Sequence, residues 1–176
     1  DEQNDLVSFL EEELEYREFV YLMLNKPKDY LSSTKDDRRA TVLDLIKGYE
    51  NFDLVIAGRL DIDSEGLIIL TNDGSFVHKL TSPNYKCPKT YQVVVEGVFE
   101  DEDIQKFQKG VKITDRYNQV YITKPASLKI LSPSEALITI IEGKFHQVKK
   151  MCLSIGKEVR KLKRIKIGTL ELDPTL

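Results

Sequence analysis

The chain has 176 residues, of which 41% are hydrophobic and 31% charged, with a formal net charge of −3. This length and composition predict one globular domain with a real core and exclude a disordered or fibrous chain. The two cysteines lie far apart, which argues against a disulfide framework, a zinc finger or an iron–sulfur site and indicates a reducing, cytoplasmic compartment. The apolar runs are far shorter than the roughly 20 residues that cross a bilayer, so we expect no membrane span. The acidic N-terminus is unlike a secretory signal.

In chain order, the sequence pattern predicts a weak amphipathic helix (5–17), a strand (19–25), a capped helix (41–47), two strands (54–57 and 67–70), a capped helix ending before Ser82, a strand (90–96), a helix (100–109), three strands (120–123, 127–131 and 136–141), a helix (146–155) and a last strand (158–168). Strands and short helices do not alternate strictly. This order indicates an α+β fold with a mixed, largely antiparallel central sheet and short flanking helices.

The negative charge is concentrated at the N-terminus. Residues 1–18 contain eight acidic side chains and one basic one, so 25 basic and 21 acidic side chains remain, a net charge of +4. Within that remainder, residues 143–166 contain nine basic side chains and one acidic one. A lysine-rich helix and edge strand would explain this segment, but its charge density favours a phosphate-binding surface. We interpret residues 1–18 as an acidic tail, a linker remnant or a weak helix.

A polar loop between two predicted strands contains the acidic residues Asp61, Asp63 and Glu65. Their spacing is compatible with a metal loop, a glycosidase carboxylate pair or one catalytic aspartate with structural neighbours. An EF-hand loop needs polar ligands where this sequence continues with residues 68–70, which are apolar, so we expect no metal. A retaining glycosidase needs carboxyl groups about 5 Å apart across a sugar, and residues two apart in a loop are poorly placed for that. Asp63 and Glu65 are also compatible with turn capping.

A second polar cluster covers residues 142–151. A helix beginning near Phe145 would place its N-terminal amides and several cations at one end, an arrangement that suits a phosphate. We interpret His146 as a structural or RNA-contacting hydrogen-bonding residue. With only two histidines in the chain, a metal site of three histidines is impossible.

Four segments, in this order, resemble the ribosomal RNA pseudouridine synthases of the RsuA group: 24–27, 58–74, 89–93 and 142–151. The similarity extends over about residues 19–172. It implies the pseudouridine synthase fold, with a catalytic domain over 19–176 and two subdomains around a catalytic cleft. Such enzymes usually begin with a small RNA-binding domain, and no such module precedes Phe19 in this sequence, so we expect that it was trimmed or lost.

The resemblance also implies site residues. Asp61 corresponds to the catalytic aspartate, Tyr91 to a tyrosine that stacks on the target base, and Lys149 to the basic residue that pairs with the aspartate. Arg59 would help to hold the flipped nucleotide. We assign further RNA contacts to Lys26, Lys144, His146, Gln147, Lys150, Arg160 and Lys163.

The implied reaction isomerises a uridine in RNA to pseudouridine, which oxidises nothing and requires no cofactor. The sequence of residues 145–149 resembles that of the small-subunit enzymes, so 16S ribosomal RNA in an assembling small subunit is the expected partner. We expect the enzyme to be a monomer. The alternatives are a large-subunit enzyme and a non-catalytic RNA-binding module on the same scaffold.

Overall fold

A computed structural model describes residues 18–176 together with the backbone of two short strands before them. These strands, β1 (Val7–Phe9) and β2 (Glu12–Leu14), pair antiparallel. The helix predicted over residues 5–17 is therefore wrong for the residues in these strands, and the rest of that prediction lies outside the described residues. The other interpretations of the acidic segment stay untested.

The central sheet contains eight strands, and a separate hairpin consists of β7 and β8. In chain order the strands are β3 (Tyr21–Lys26), β4 (Val55–Ala57), β5 (Glu65–Thr71), β6 (Lys89–Val95), β7 (Lys112–Thr114), β8 (Val120–Ile122), β9 (Ser127–Ser132), β10 (Glu135–Ile140), β11 (Val159–Ile167) and β12 (Leu170–Glu171). The sheet order is β3-β5-β11-β6-β10-β9, with β4 on β5 and β12 on β11. Among the pairings between strands of this sheet only β5–β11 is parallel, which confirms the predicted α+β class and largely antiparallel sheet.

Three α-helices flank the sheet in the described part of the chain. They are α1 (Gly74–Thr81), α2 (Asp101–Lys109) and α3 (Gln147–Ser154), and 3-10 turns cover Val42–Leu45 and Pro83–Tyr85. The carboxylate of Asp73 caps α1 by accepting from the Phe76 amide at 3.0 Å. These helices lie where the sequence pattern predicts them. In the described part of the chain, no helix has the length and apolar character that a membrane crossing requires.

The alternation of β5 separates two apolar clusters, one on each face of the sheet. Leu67 and Ile69 belong to the cluster that packs against α1. Ile68 and Leu70 belong to the larger cluster, which includes Met151 of α3. Helices α1 and α3 therefore cover opposite faces, and the larger cluster supports the polar loop between β4 and β5.

Strand β7 was missed by the sequence pattern, which predicted only its partner β8. It has three residues, Lys-Ile-Thr, and only Ile113 is buried, so it offers no run of alternating positions. The hairpin is attached to α3 because the ammonium of Lys150 donates to the carbonyl of Thr114 at 2.6 Å.

Candidate active site

Asp61 lies in the loop between β4 and β5, facing the first turn of α3. The ammonium of Lys149 donates to Asp61 Oδ2 at 2.9 Å, which is the pairing implied by the resemblance, and also to Asp63 Oδ1 at 2.6 Å. His146 Nε2 lies 3.3 Å from Asp61 Oδ1. Each oxygen of the Asp61 carboxylate therefore has one nitrogen neighbour, and the side chain remains 30% exposed. The Asp61 carboxylate is therefore held in place and is still reachable from solvent.

The beginning of α3 provides both nitrogen groups. His146 and Lys149 are three residues apart, which places their side chains on one side of the helix start. His146 itself has a φ of +52°, the left-handed region that a non-glycine residue seldom adopts. Such a conformation costs on the order of 1 kcal/mol and often occurs at functional sites.

The charges of this group stabilise one another. The hydrogen bond from Lys149 holds the pKa of Asp63 below its usual value. Burial by itself would lower the pKa of Lys149, but its hydrogen bonds to Asp63 and Asp61 outweigh burial and raise the pKa. Lys149 is consequently charged at neutral pH. Asp63 was expected to cap a turn, and its ion pair with Lys149 was not predicted, although Asp63 lies in the same motif as Asp61.

Lys26 binds the backbone of the loop from the protein interior. This position contradicts the prediction that Lys26 contacts RNA. Its side chain is fully buried. The ammonium donates to the carbonyls of Pro27 at 2.8 Å, Ile62 at 3.2 Å and Ser64 at 2.7 Å. An ammonium has three protons, so these three carbonyls use them all. Lys26 therefore positions the backbone on the C-terminal side of Asp61 and has no donor left for RNA.

Arg164 holds the two ends of the same loop and was not singled out by the sequence analysis. Its Nε donates to the carbonyl of Leu67 and its Nη2 to the carbonyl of Gly58, both at 2.8 Å. It is one of the largest fully buried side chains among the described residues. The available signal was its place in β11, where Leu162, Arg164 and Ile167 are the buried positions.

Tyr91 lies on β6, one strand beyond Arg164. Gly66, Arg164 and Tyr91 are partners across neighbouring strands, so Tyr91 is about 10 Å from the end of the loop at a strand spacing of about 4.8 Å. It is 8% exposed and belongs to the apolar cluster that contains Leu60 and Val148, the neighbours of Asp61 and Lys149. The structure thus brings Asp61, Asp63, His146 and Lys149 together and places Tyr91 in the apolar core, two strands from Gly66.

Gln147 was also predicted to contact RNA, but the structure buries it. Its amide nitrogen donates to Glu142 Oε2 at 2.7 Å and its amide oxygen accepts from the Lys144 backbone at 2.9 Å. Gln147 therefore fixes the backbone before α3 and does not face solvent.

The remaining predicted RNA contacts lie at or near the surface, in several places. Arg59 and Lys144 are exposed, and Lys163 is half-buried on β11. Lys150 reaches the β7–β8 hairpin. The guanidinium of Arg160 pairs with the carboxylate of Glu96. Over residues 18–176, no three His, Cys, Asp or Glu side chains are grouped in a way that could hold a metal ion.

The family model for RNA pseudouridylate synthase matches residues 20–154. The chain belongs to this family. The match contains the loop of Asp61 and helix α3 with Lys149.

Relatives in the RNA pseudouridylate synthase family cover most of the chain. It is 45% identical over 170 residues to an uncharacterized RNA pseudouridine synthase of Bacillus subtilis, covering 94% of this chain and 70% of the relative. It is 42% identical over 156 residues to ribosomal small subunit pseudouridine synthase A of Escherichia coli, covering 89% of this chain and 66% of the relative. A crystal structure of pseudouridylate synthase is 38% identical with a TM-score of 0.83, covering 99% of this chain and 74% of that one. The chain thus spans about two thirds of the length of these curated relatives.

Proposed function

We propose that this protein isomerises a uridine in small-subunit (16S) ribosomal RNA to pseudouridine, with Asp61 as the catalytic residue. The observation that carries the proposal is the Asp61 carboxylate, held at 2.9 Å by Lys149 and at 3.3 Å by His146 in a chain of the pseudouridylate synthase family. Relatives from Yersinia pestis and Escherichia coli are named ribosomal small subunit pseudouridine synthase A, which supports the choice of RNA.

The reaction breaks the bond between uracil N1 and ribose C1′, turns the detached base and joins it again through C5. C5 then loses its proton and N1 gains one, so that the product is an isomer of the substrate. Asp61 contributes either as a nucleophile that forms a covalent adduct or as a base that removes the ribose 2′ proton to give a glycal. Both routes begin from an ionised carboxylate. Lys149 donates a hydrogen bond to this carboxylate at 2.9 Å and so fixes its direction. Holding the detached uracil in the pocket keeps the second bond formation effectively unimolecular.

The target uridine has to leave its stack before Asp61 can reach it. Aromatic side chains commonly replace the lost stacking when a protein binds an extruded base. We assign that role to Tyr91, which belongs to the same apolar cluster as Leu60 and Val148 and lies two strands from Gly66. Arg59, exposed in the loop two residues before Asp61, supports the RNA backbone in this proposal.

A matched pair of substitutions tests the proposal, because Asp61 and Asp63 accept from the same ammonium. We expect Asp61→Asn to lower pseudouridine formation by at least roughly 1,000-fold, since it removes the reacting group. Asp63→Asn removes only a largely exposed ion pair, so activity should stay within about fivefold of wild type. The measurement is chemical mapping of pseudouridine in unmodified ribosomal RNA and in assembling small subunits.

Three outcomes would contradict the proposal. Full activity of Asp61→Asn would exclude Asp61 as the catalyst. Absence of pseudouridine with every RNA would leave a non-catalytic RNA-binding module. Modification confined to large-subunit RNA would contradict the small-subunit substrate.

A further inference from the structure

The β7–β8 hairpin is fixed beside the candidate active site by polar contacts with α3 and the segment before it. Lys150 donates to the carbonyl of Thr114 at 2.6 Å. From β8, the hydroxyl of Tyr121 donates to Glu142 Oε1 at 2.6 Å, and the backbone amide of Lys124 donates to Glu142 Oε2 at 3.1 Å. The hairpin and the start of α3 therefore present one continuous surface.

This surface contains every cation–aromatic pair found among the described residues. The pairs are Arg116 with Tyr117 at 5.9 Å, Lys144 with Tyr121 at 4.4 Å and Lys150 with Phe145 at 5.0 Å, measured from the cation to the ring centroid. We call these six residues the hairpin surface. Within it, Tyr117 is 74% exposed and Phe145 is 49% exposed. Exposed aromatic rings paired with cations are the components of single-stranded nucleic-acid sites, where bases stack on rings and cations follow the backbone.

The hairpin surface is connected to the catalytic carboxylate through stacked rings. Phe145 stacks on His146 with ring centroids 3.8 Å apart and an interplanar angle of 20°. His146 Nε2 in turn lies 3.3 Å from Asp61 Oδ1. A nucleotide bound at Phe145 would therefore be next to the nucleotide whose sugar reaches Asp61.

Charge decides between RNA and an apolar protein partner. The hairpin surface contains three cations and three aromatic rings. The two carboxylates beside it accept hydrogen bonds from within the protein. Glu142 is buried under Tyr121, and the carboxylate of Asp115 accepts from the backbone amides of Tyr117 and Gln119 at 2.7 and 2.9 Å. The three cations outnumber these two carboxylates, and the resulting net positive charge favours a polyanion whose bases are free to stack.

We infer that the hairpin surface binds the single-stranded nucleotides that flank the target uridine, with Tyr117 and Phe145 as stacking residues. This inference rests on the proposed function and extends it by assigning a second RNA site, outside the catalytic group. It adds Arg116, Tyr117, Tyr121 and Phe145 to the residues that act on RNA. The inference also requires the RNA next to the target uridine to be an unpaired loop, bulge or strand, because paired bases are not free to stack on the protein.

Fluorescence anisotropy with a labelled oligouridylate of about ten nucleotides tests the inference, since single-stranded sites commonly cover 4 to 16 nucleotides. We expect Tyr117→Ala and Phe145→Leu each to weaken binding by about tenfold, because stacking one base contributes about 1–3 kcal/mol. Tyr117→Phe keeps the ring and should bind like wild type. Tyr85→Ala is the matched control, because Tyr85 is also an exposed tyrosine but follows α1 on the other face of the sheet. A duplex RNA of the same length should show a much smaller effect, since its bases are already stacked.

Failure of this inference and failure of the proposed function are distinguishable. If Tyr117→Ala and Phe145→Leu bind the oligouridylate like wild type or like Tyr85→Ala, the hairpin surface is not an RNA site, whatever the catalytic activity. An equal loss for the duplex would also overturn the inference, because it would indicate contact with the backbone alone. If wild type forms no pseudouridine while both variants lose binding, the proposed function fails and the RNA site stands.

Discussion

At the scale of single residues, the candidate site depends on two buried cations that bind no carboxylate. Lys26 and Arg164 give their donors to backbone carbonyls of the loop around Asp61. Burial lowers the pKa of Lys26, and the nearby carboxylates, Asp63 first among them, oppose that change. Arg164 suits its place because a guanidinium stays charged and can bridge two separate carbonyls. The backbone on both sides of Asp61 is therefore positioned by side chains that do not touch its carboxylate.

Tyr121 gives a prediction about pH at the same scale. The hydrogen bond to Glu142 raises the pKa of Tyr121 from 10.0 to about 12. Because the folded-state pKa lies above the unfolded value, this hydrogen bond stabilises the fold fully below about pH 10 and is lost as the pH rises towards 12. Wild type should exceed Tyr121→Phe in free energy of unfolding by about 1–2 kcal/mol at neutral pH, and this difference should shrink above pH 10. Urea unfolding at several pH values measures it.

Tyr117→Phe is the control for this titration. Tyr117 is largely exposed, so removal of its hydroxyl should leave the free energy of unfolding close to that of wild type. A difference between wild type and Tyr121→Phe that stays constant through pH 11 would show that the Glu142 hydrogen bond does not control the titration of Tyr121.

At the scale of elements, the parallel pairing of β5 with β11 depends on one glycine. The pairing covers only Glu65 with Lys163 and Gly66 with Arg164. A Cβ at Gly66 would lie 2.2 Å from the backbone oxygen of Arg164, and the residue has a φ of +107°. We expect Gly66→Ala to lower the free energy of unfolding by more than about 2 kcal/mol, since positive φ alone costs roughly 1–2 kcal/mol. Urea unfolding measures this change as well.

Gly143→Ala is the matched control, because a Cβ there has no atom within 4 Å and the backbone has no positive φ. Its free energy of unfolding should stay within about 0.5 kcal/mol of wild type. If Gly66→Ala is as stable as Gly143→Ala, then the close approach of β5 to β11 is not needed to hold the loop of Asp61.

The fold was predictable where a local pattern reports burial. In β6, Tyr91, Val93 and Val95 are all buried, as expected for every second residue of a strand with one face in the core. Short elements were not predictable, since the three residues of β7 carry too few positions to show a period. The β1–β2 hairpin was misjudged because apolar residues among glutamates also fit a helix.

The sequence predicted the residues of the candidate site but not the buried cations that hold its loop. Asp61 and Lys149 stand in recognisable segments 88 residues apart, and the fold pairs them at 2.9 Å. Burial of Lys26 and Arg164 depends on which strands are neighbours, here β3, β5 and β11. Sequence reasoning assigns a lysine in a basic protein region to the surface, and no local pattern corrects that assignment. Tertiary contacts decide which cations serve RNA and which serve the fold.

At the scale of the whole molecule, net charge and RNA binding are in conflict. The chain has a net charge of −3, whereas RNA is a polyanion. The hairpin surface and α3 present cations near Asp61, and much of the negative charge lies in the first residues of the chain. Through the overall field, these acidic charges oppose the approach of RNA, and this opposition weakens with ionic strength, because the screening length falls from about 10 Å at 0.1 M to about 3 Å at 1 M salt.

Removal of residues 1–17 is therefore expected to strengthen RNA binding in a way that depends on salt. The truncation leaves 25 basic and 22 acidic side chains, a net charge of +3, and keeps Glu18, whose carbonyl accepts from Asn72. Anisotropy titrations with the labelled oligouridylate should show tighter binding by the truncated protein at low salt, with the advantage disappearing near 1 M salt. Equal affinities at low salt would show that the acidic segment does not oppose the RNA. If the truncated protein still binds the oligouridylate more tightly at 1 M salt, then the segment covers the RNA site by direct contact, which would contradict the electrostatic explanation.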